Sequence, residues 1–483
     1  MKIISRYMPT TLYAAIISML MAGCAAVGPD YSKPVMPVPN SWHTKLQDGL
    51  SAGQPLRLAH WWTVFHDPVL SNLIKRAAAR NLDLKKARVR LLEARARQTM
   101  SRGPLFPALN TSGSVTKNRA HNRETNLYNA GFDAVWELDI FGGVRRSVEA
   151  ATADLQADRE DLRDILVSLL AEVCRNYIDV RTYQVRLTLT AENIKTQQKS
   201  LQLVRSRYES GLVTDLDIQQ ATYSLENSRA QVPALRTGLN VAQNRLALLL
   251  DLPPGALDKQ LRQREPIPSA PPRVAVGIPA DLIRRRPDIR RAERRLAAQS
   301  ARVGVAAAAL YPALKLHGSI SFEALTFNNL FDSINRTSGF GPAVSWPIFD
   351  AGQIRANIKA RSAVREQYFI QYESTVLTAL NEVENALTAY TNEQNQARHL
   401  KLSAAAAEKS LKLARIRYTS GLTNFTAVLN AQESLLAIQD QTARSAGTLS
   451  ADLVRIYKAL GGGWTSQTAT HSPAARHKES PHE

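Results

Sequence analysis

Leu201-Gln-Leu-Val-Arg-Ser-Arg-Tyr-Glu-Ser-Gly-Leu212 recurs as Leu411-Lys-Leu-Ala-Arg-Ile-Arg-Tyr-Thr-Ser-Gly-Leu422, identical at 8 of 12 positions and 210 residues further on. Two unrelated dodecamers would share about one residue, so the chain is read first as a repeat of very long period. Working outward, Leu105-Phe-Pro-Ala-Leu109 returns as Leu310-Tyr-Pro-Ala-Leu314, and Trp136, Gly142 and Arg145 return as Trp346, Gly352 and Arg355. The two halves, 61–252 and 280–460, therefore share one plan. Between them, residues 253–279 carry Pro253, Pro254, Pro266, Pro268, Pro271, Pro272 and Pro279. A connector that rich in proline is expected to be neither helix nor central strand.

The repeated dodecamer ends a stretch without punctuation. Residues 144–210 and 353–420 contain no Gly and no Pro, and a helix running their full length reaches ~100 Å at 1.5 Å per residue. Leu166, Leu170, Val173, Tyr177 and Val180 step by 4, 3, 4, 3, and Val376, Leu380, Val383, Leu387 and Tyr390 repeat those steps. That spacing predicts coiled-coil packing of long helices. Each long helix stops at Ser-Gly, Ser210-Gly211 and Ser420-Gly421, where glycine can turn the chain back into a second helix over 215–250 and 424–460.

Ahead of each long helix the period changes to two. Leu109, Thr111, Gly113 and Val115 alternate with polar residues, as do Tyr128, Ala130, Phe132, Ala134 and Trp136. The second half offers Leu314, Leu316, Ile320 and Phe322, then Phe340, Pro342, Val344 and Trp346. Four strands apolar on one face fit an outer-membrane wall whose other face meets water, although a half-buried soluble sheet has the same pattern. Tyr128, Trp136 and Trp346 near strand ends suit an aromatic girdle, and Pro342 argues against a central position. Four strands cannot close a barrel, which takes about eight or more, so the chain must oligomerise, and an open pore prefers at least three copies.

The N-terminus sets the compartment. Lys2 and Arg6 precede the short apolar run Leu12 to Ala22, which ends in Leu20-Met21-Ala22-Gly23-Cys24. Residues 1–23 read as a secretory leader, and the small residues before Cys24 as a lipoprotein box, with Met21 where Leu is commoner. Cys24 would then carry the acyl chains, and Ala25 rather than Asp after it implies sorting to the outer membrane. Residues 24–60 form the anchor and a Pro-rich segment, and 461–483 a polar tail. Cys174 reads as packed core.

Composition excludes several classes. The chain has 483 residues, 44% apolar and 21% charged, and a mean hydropathy of −0.24 without an 18-residue apolar run, which excludes a multi-pass helical membrane protein. Its 61 Lys and Arg against 42 Asp and Glu give +19, and loss of Lys2 and Arg6 with the leader lowers this to +17. Nucleic-acid binding is disfavoured, because Asp281, Asp288 and Glu293 are interleaved with Arg284, Arg285, Arg286, Arg290, Arg291, Arg294 and Arg295, which are expected to pair with carboxylates. An enzyme could be built only on His66-Asp67 and Glu172. No metal-ligand spacing, nucleophile elbow or phosphate loop accompanies them, so no cofactor and no metal are expected, and Asp67 reads as a helix N-cap. A lipid-anchored helical spacer without a pore stays open beside a channel.

Gly28-Pro29-Asp30-Tyr31, Trp61-Trp62-x-x-Phe65-x-Asp67-Pro68-x-Leu70, Gly277-Ile-Pro-Ala-Asp-Leu-Ile-Arg-Arg-Arg-Pro-Asp-Ile-Arg290 and Leu460-Gly-Gly-Gly-Trp464 together resemble signatures of the TolC-like outer membrane factors, in their lipoprotein, NodT-type branch. The resemblance implies a mixed, mainly α fold: a homotrimer with a 12-stranded transmembrane barrel, four strands per chain, continuous with a long periplasmic α-helical barrel. It implies outer-membrane lipids, a periplasmic adaptor protein and an inner-membrane pump of the RND type as partners, with the chain a passive exit duct; the exit channel of a type I protein secretion system is the other implied use. The adaptor contact would fall on Arg207, Tyr208, Ser210, Gly211 and Leu212 and on Arg417, Tyr418, Ser420, Gly421 and Leu422. The closed gate would be held by a Tyr418–Asp217 hydrogen bond. The family's acidic ring would fall at Ala427 and Asn430, so the entrance would be less cation-selective.

Overall fold

The computed structural model describes residues 26–47, 49–53, 58–120, 123–269, 271 and 273–465. The leader and Cys24 lie outside the described residues. In chain order these residues form β1 (Leu50–Ser51), a 3-10 turn (Leu58–Phe65), α1 (Pro68–Arg80), α2 (Leu82–Arg102), β2 (Ala108–Ala120), β3 (Arg123–Leu138), α3 (Gly143–Glu209) and α4 (Asp215–Leu249). Then come α5 (Asp258–Leu261), β4 (Val274–Ala275), α6 (Pro279–Arg285), α7 (Pro287–Ala308), β5 (Ala313–Ala324), β6 (Arg336–Ser345), α8 (Gln353–Thr419) and α9 (Phe425–Ala459). Both α3 and α8 are 67 residues long and both α4 and α9 are 35, each pair 210 residues apart. The left-handed residues that punctuate them keep that offset: Gly142 with Gly352, Gly211 with Gly421, and Asp251 with Gly461.

The chain divides into two compact units that cut across the sequence halves. The first takes residues up to Val38, Lys85–Leu162 and Arg286–Ala379. It holds an antiparallel sheet of order β2-β3-β5-β6. The register sets Leu109, Ala134, Gly318 and Phe340 in one row and Thr111, Phe132, Ile320 and Ser338 in the next, so the alternating apolar residues share a face. The opposite face is polar, with Asn110 donating to Asp133 at 3.1 Å and Lys315 3.7 Å from Glu137. Pro342 sits on edge strand β6, where a missing N–H is tolerated. At the helix end of the sheet the two tryptophans repeat one bond: Trp136 Nε1 donates to the Leu105 carbonyl at 3.1 Å and Trp346 Nε1 to Leu310 at 3.0 Å. An aspartate then starts each long helix, Asp139 accepting from the Val144 and Arg145 amides and Asp350 from Gly352 and Ile354.

The arginine-rich segment is structural. Arg290 pairs with Glu160 at 3.0 Å, Arg291 with Asp161 and Arg302 with Asp154, holding α7 against α3, while Arg286 closes on Asp288 at 2.7 Å at the start of α7 itself. Buried Arg146 gathers the start of the described chain, donating to the carbonyls of Ala26 and Val27 and to Asp30 at 2.6 Å. Tyr31 donates to Glu293 at 3.0 Å.

The second unit takes Pro39–Leu84, Arg163–Arg285 and everything from Leu380 on. The 4-3 spacing is a core seam here: Leu170, Val173, Tyr177, Val180, Val383, Leu387 and Tyr390 are all buried. Cys174 lies among them, and burial pushes its thiol well above the ordinary value, which keeps it inert. Trp61 stacks on Tyr457 with ring centroids 5.4 Å apart, and the Gly463 amide donates to the Leu58 carbonyl. One expectation needs correction: the connector 253–279 is not free of regular structure. The Pro-free stretch 255–265 forms the short α5, and Val274–Ala275, in the gap between Pro272 and Pro279, pairs in parallel with Leu50–Ser51. Among the described residues no helix is long and apolar enough to cross a membrane.

Candidate functional site

The two tips of the second unit are built alike. At the end of α3 the Leu212 amide donates to the Arg207 carbonyl and the Gly211 amide to Tyr208, both at 2.9 Å. At the end of α8, Leu422 donates to Arg417 at 2.8 Å and Gly421 to Tyr418 at 3.0 Å. These paired bonds are Schellman closures, with Gly211 at φ 69° and Gly421 at φ 74°. Nothing lies within 4 Å of a Cβ added at either glycine, so backbone conformation rather than space selects them. Gly211→Ala and Gly421→Ala are each expected to cost the tip ~1 kcal/mol, read as ~5-fold faster hydrogen exchange of the Leu212 or Leu422 amide. Both leucines point outward, and Ser210 and Ser420 are exposed.

The tips then diverge. Tyr418 is 4% exposed, its ring tilted on Phe425 at 5.3 Å, whereas Tyr208 is 47% exposed. The residue matching Phe425 in the first repeat is Asp215, which offers Tyr208 no ring to pack against. Arg207 reaches across to the other tip: Nη1 donates to the Tyr418 carbonyl at 3.2 Å and Nη2 to Thr419 at 3.1 Å, with the guanidinium 4.5 Å from the Tyr418 ring centroid. Arg417 is exposed. Beneath the tips Leu201, Val204, Ala221, Leu225, Leu411, Val428 and Leu429 close one apolar cluster with Tyr418 and Phe425.

The proposed Tyr418–Asp217 bond is not made within the chain. Asp217 lies at the third position of α4, where its Oδ2 accepts from the Thr214 amide and hydroxyl at 3.1 Å, completing a capping box. The Tyr418 hydroxyl is buried without a hydrogen-bond partner. Within the chain the Asp217 carboxylate serves the start of α4. Ala427 is half-buried, its amide donating to Asn424 at 3.3 Å, and Asn430 is exposed one turn further on.

A long helix pair and a sheet apolar on one face are shared with known proteins. The model of the outer membrane efflux protein family matches residues 73–251 and 278–462, well over half of the chain, with one matched range in each repeat. This chain belongs to that family. The efflux protein is 33% identical to nodulation protein T of Rhizobium leguminosarum bv. trifolii over 435 residues, 89% of this chain and 92% of that one. It is 32% identical to outer membrane protein OprJ of Pseudomonas aeruginosa over 465 residues, 93% and 95% of the two chains. Among solved structures it resembles the outer-membrane channel OprN, with a TM-score of 0.85 and 34% identity over 91% of this chain and 99% of that one. The open-state MtrE channel of Neisseria gonorrhoeae superposes with a TM-score of 0.80 at 26% identity, covering 92% and 100%.

In this efflux protein two of the residues that could suggest catalysis, Asp67 and Glu172, are engaged in local structure. Asp67 Oδ1 caps α1 by accepting from the Leu70 amide at 2.9 Å and Oδ2 accepts from Tyr177 at 2.7 Å, while Glu172 pairs with Arg175 at 3.4 Å. Burial first, then the bond to Asp67, pushes the Tyr177 phenol far above its ordinary value, so it stays a donor. The sequence reading missed two polar layers. One is Arg181 beneath Tyr177; the other joins Gln197 to Ser224 at 3.0 Å and Gln432 to Ser200 at 2.9 Å inside the apolar seam. Thr214-x-x-Asp217 is itself a capping-box pattern, a signal that would have assigned Asp217 correctly.

Proposed function

We propose that this outer membrane efflux protein is the passive exit duct of a tripartite efflux system. Three copies would close their sheets into a 12-stranded barrel and gather the long helices into a periplasmic tunnel. The observation that carries this is the sheet: β2 and β6 are both unpaired edges, and Phe340 and Val344 on β6 are 82% and 68% exposed. A protein does not leave such edges open, and pairing β6 of one copy with β2 of the next removes every one. Small molecules would arrive from an RND-type inner-membrane pump through a periplasmic adaptor docking on the two tips. The energy comes from that pump. Acylation of Cys24 would tether the trimer to the inner leaflet of the outer membrane. The Tyr418 hydroxyl, unsatisfied within the chain, is free for a donor or acceptor from a neighbouring copy in the closed gate, and Arg207 and Asp217 hold the tip in shape beside it.

Conductance in planar bilayers tests the duct: purified protein should give discrete openings, and a protein that inserts as a trimer yet never conducts would be a spacer instead. Ion selectivity tests the entrance. Asn430→Asp adds a carboxylate per copy to an exposed helix position and is expected to raise cation preference severalfold in reversal-potential measurements. Unchanged selectivity would remove Asn430 from the gate.

A further inference from the structure

The two connections at the end of the sheet away from the helices are chemically opposite. The β2–β3 turn is flanked by Lys117, Arg119 and Glu124, with Glu124 2.8 Å from Lys117 and 3.6 Å from Arg119. The β5–β6 loop, residues 325–335, instead displays Leu325, Phe327 and Phe331 at 64%, 63% and 67% exposure and Ile334 at 89%. This loop is folded. Leu330 is buried as its core, the amides of Leu330 and Asp332 close turns on the carbonyls of Phe327 and Asn329 at 3.1 Å, and Asn335 Nδ2 donates to the Asn329 carbonyl at 2.6 Å. Keeping four large apolar side chains outside a folded loop points to a partner that covers them.

The ring contacts say on which side. Phe327 meets Tyr128 edge-on at 5.8 Å, and Phe331 meets Phe322 at 5.6 Å. Tyr128 lies in the row of Val115 and Ala324, and Phe322 in the row of Ala130. Both rows belong to the apolar face that carries Phe132, Ile320 and Phe340. The loop therefore leans back over the apolar face, extending it past the last strand residues, instead of crossing toward the polar face. Arg336 stands opposite Phe322 on the same face, exposed, and no carboxylate lies within ion-pair distance of it among the described residues. Aromatic rings with an adjoining cation are the arrangement that fits the boundary between acyl chains and phosphates.

We infer that residues 325–335 form a membrane-interface element whose Leu325, Phe327, Phe331 and Ile334 seat among the acyl chains of outer-leaflet lipids, leaving the mouth of the duct uncovered by this loop. The inference rests on the barrel reading, because the apolar face must be the lipid face. Its occupant is fixed by continuity with that face and by the loop's lack of charged residues other than Asp332.

Single cysteines at Ile334→Cys, Phe331→Cys, Phe340→Cys and Ser112→Cys, in a Cys174→Ala background, are labelled with an environment-sensitive fluorophore. The full-length protein is reconstituted into phosphatidylcholine vesicles with brominated acyl chains; the background chain treated alike is the blank. Labels at 334, 331 and 340 should each be quenched at least twofold by the brominated lipid, while the label at 112 responds to aqueous iodide. Quenching at 340 without quenching at 331 and 334 overturns the inference and leaves the barrel intact. Protection of 331 and 334 from both quenchers also overturns it, since a neighbouring copy would then cover the loop. No lipid quenching at 340 overturns the barrel reading itself.

Discussion

Arg181→Met is expected to be the most destabilising single substitution in the second unit, lowering stability by about 3–5 kcal/mol, because it breaks a buried charged network from one side. Arg181 is 1% exposed. Its Nε donates to the Tyr177 hydroxyl at 3.0 Å, and its Nη1 to Gln184 Oε1 at 2.9 Å and the Gln263 carbonyl at 2.7 Å. The Tyr177 hydroxyl donates a hydrogen bond to Asp67, which caps α1, and Gln184 donates to the Leu261 carbonyl at 2.6 Å. One guanidinium thus ties α3 to the cap of α1 and to the connector beside α5. Methionine keeps the volume but strands the buried Gln184 Oε1 and leaves the Asp67–Tyr177 pair without its cation. The check is the thermal transition of helical circular dichroism in detergent, where Arg181→Met should melt well below the parent. Tyr177→Phe, which removes two hydrogen bonds and no charge, should fall between them; equal losses for the two would mean that packing rather than the network carries the effect.

What the sequence conveyed and what it withheld divide along physical lines. The helices were legible because nothing in 144–210 or 353–420 interrupts them, and a glycine marks each end. The strands were legible because period-two alternation survives when one face is apolar, and the register then gathers Leu109, Phe132, Ile320 and Phe340 on that face. Side-chain partnership was not legible. For Asp217 the Thr214-x-x-Asp217 spacing offered a helix cap, but that the Tyr418 hydroxyl is left without a partner within the chain shows only in the geometry. Close approach was equally hidden: a Cβ at Gly447 would lie 2.3 Å from Thr182 Oγ1, and one at Gly238 2.4 Å from the Tyr183 ring, so both glycines mark contacts with α3 that spacing alone does not announce. Pro233 lies inside α4, where propensity argues for a break and packing against the neighbouring helices overrides it.

The same limit explains why two tips of near-identical sequence should respond differently to the same substitution. Arg207 and Arg417 occupy matching places in the dodecamer, yet only Arg207 satisfies the terminal carbonyls of the other long helix and covers the Tyr418 ring. Those carbonyls sit at the negative end of a 67-residue helix, where a fork of charged donors supplies the partners that the last turn lacks. Two such bonds and the ring contact, discounted for partial exposure, are worth about 2 kcal/mol, which corresponds to a ~30-fold shift in the population of a loosened tip. Arg207→Ala is therefore expected to raise open probability in planar bilayers by about that factor and to speed proteolytic nicking at residues 417–424. Arg417→Ala, an exposed surface change, should stay within ~0.5 kcal/mol of the parent. Arg207→Lys separates the causes: a single ammonium keeps the charge near the helix end but loses the fork, so it should recover part of the effect. If Arg207→Ala and Arg417→Ala opened the channel equally, the contact across the tips would not be what holds them closed, and the unpartnered Tyr418 hydroxyl would become the stronger candidate.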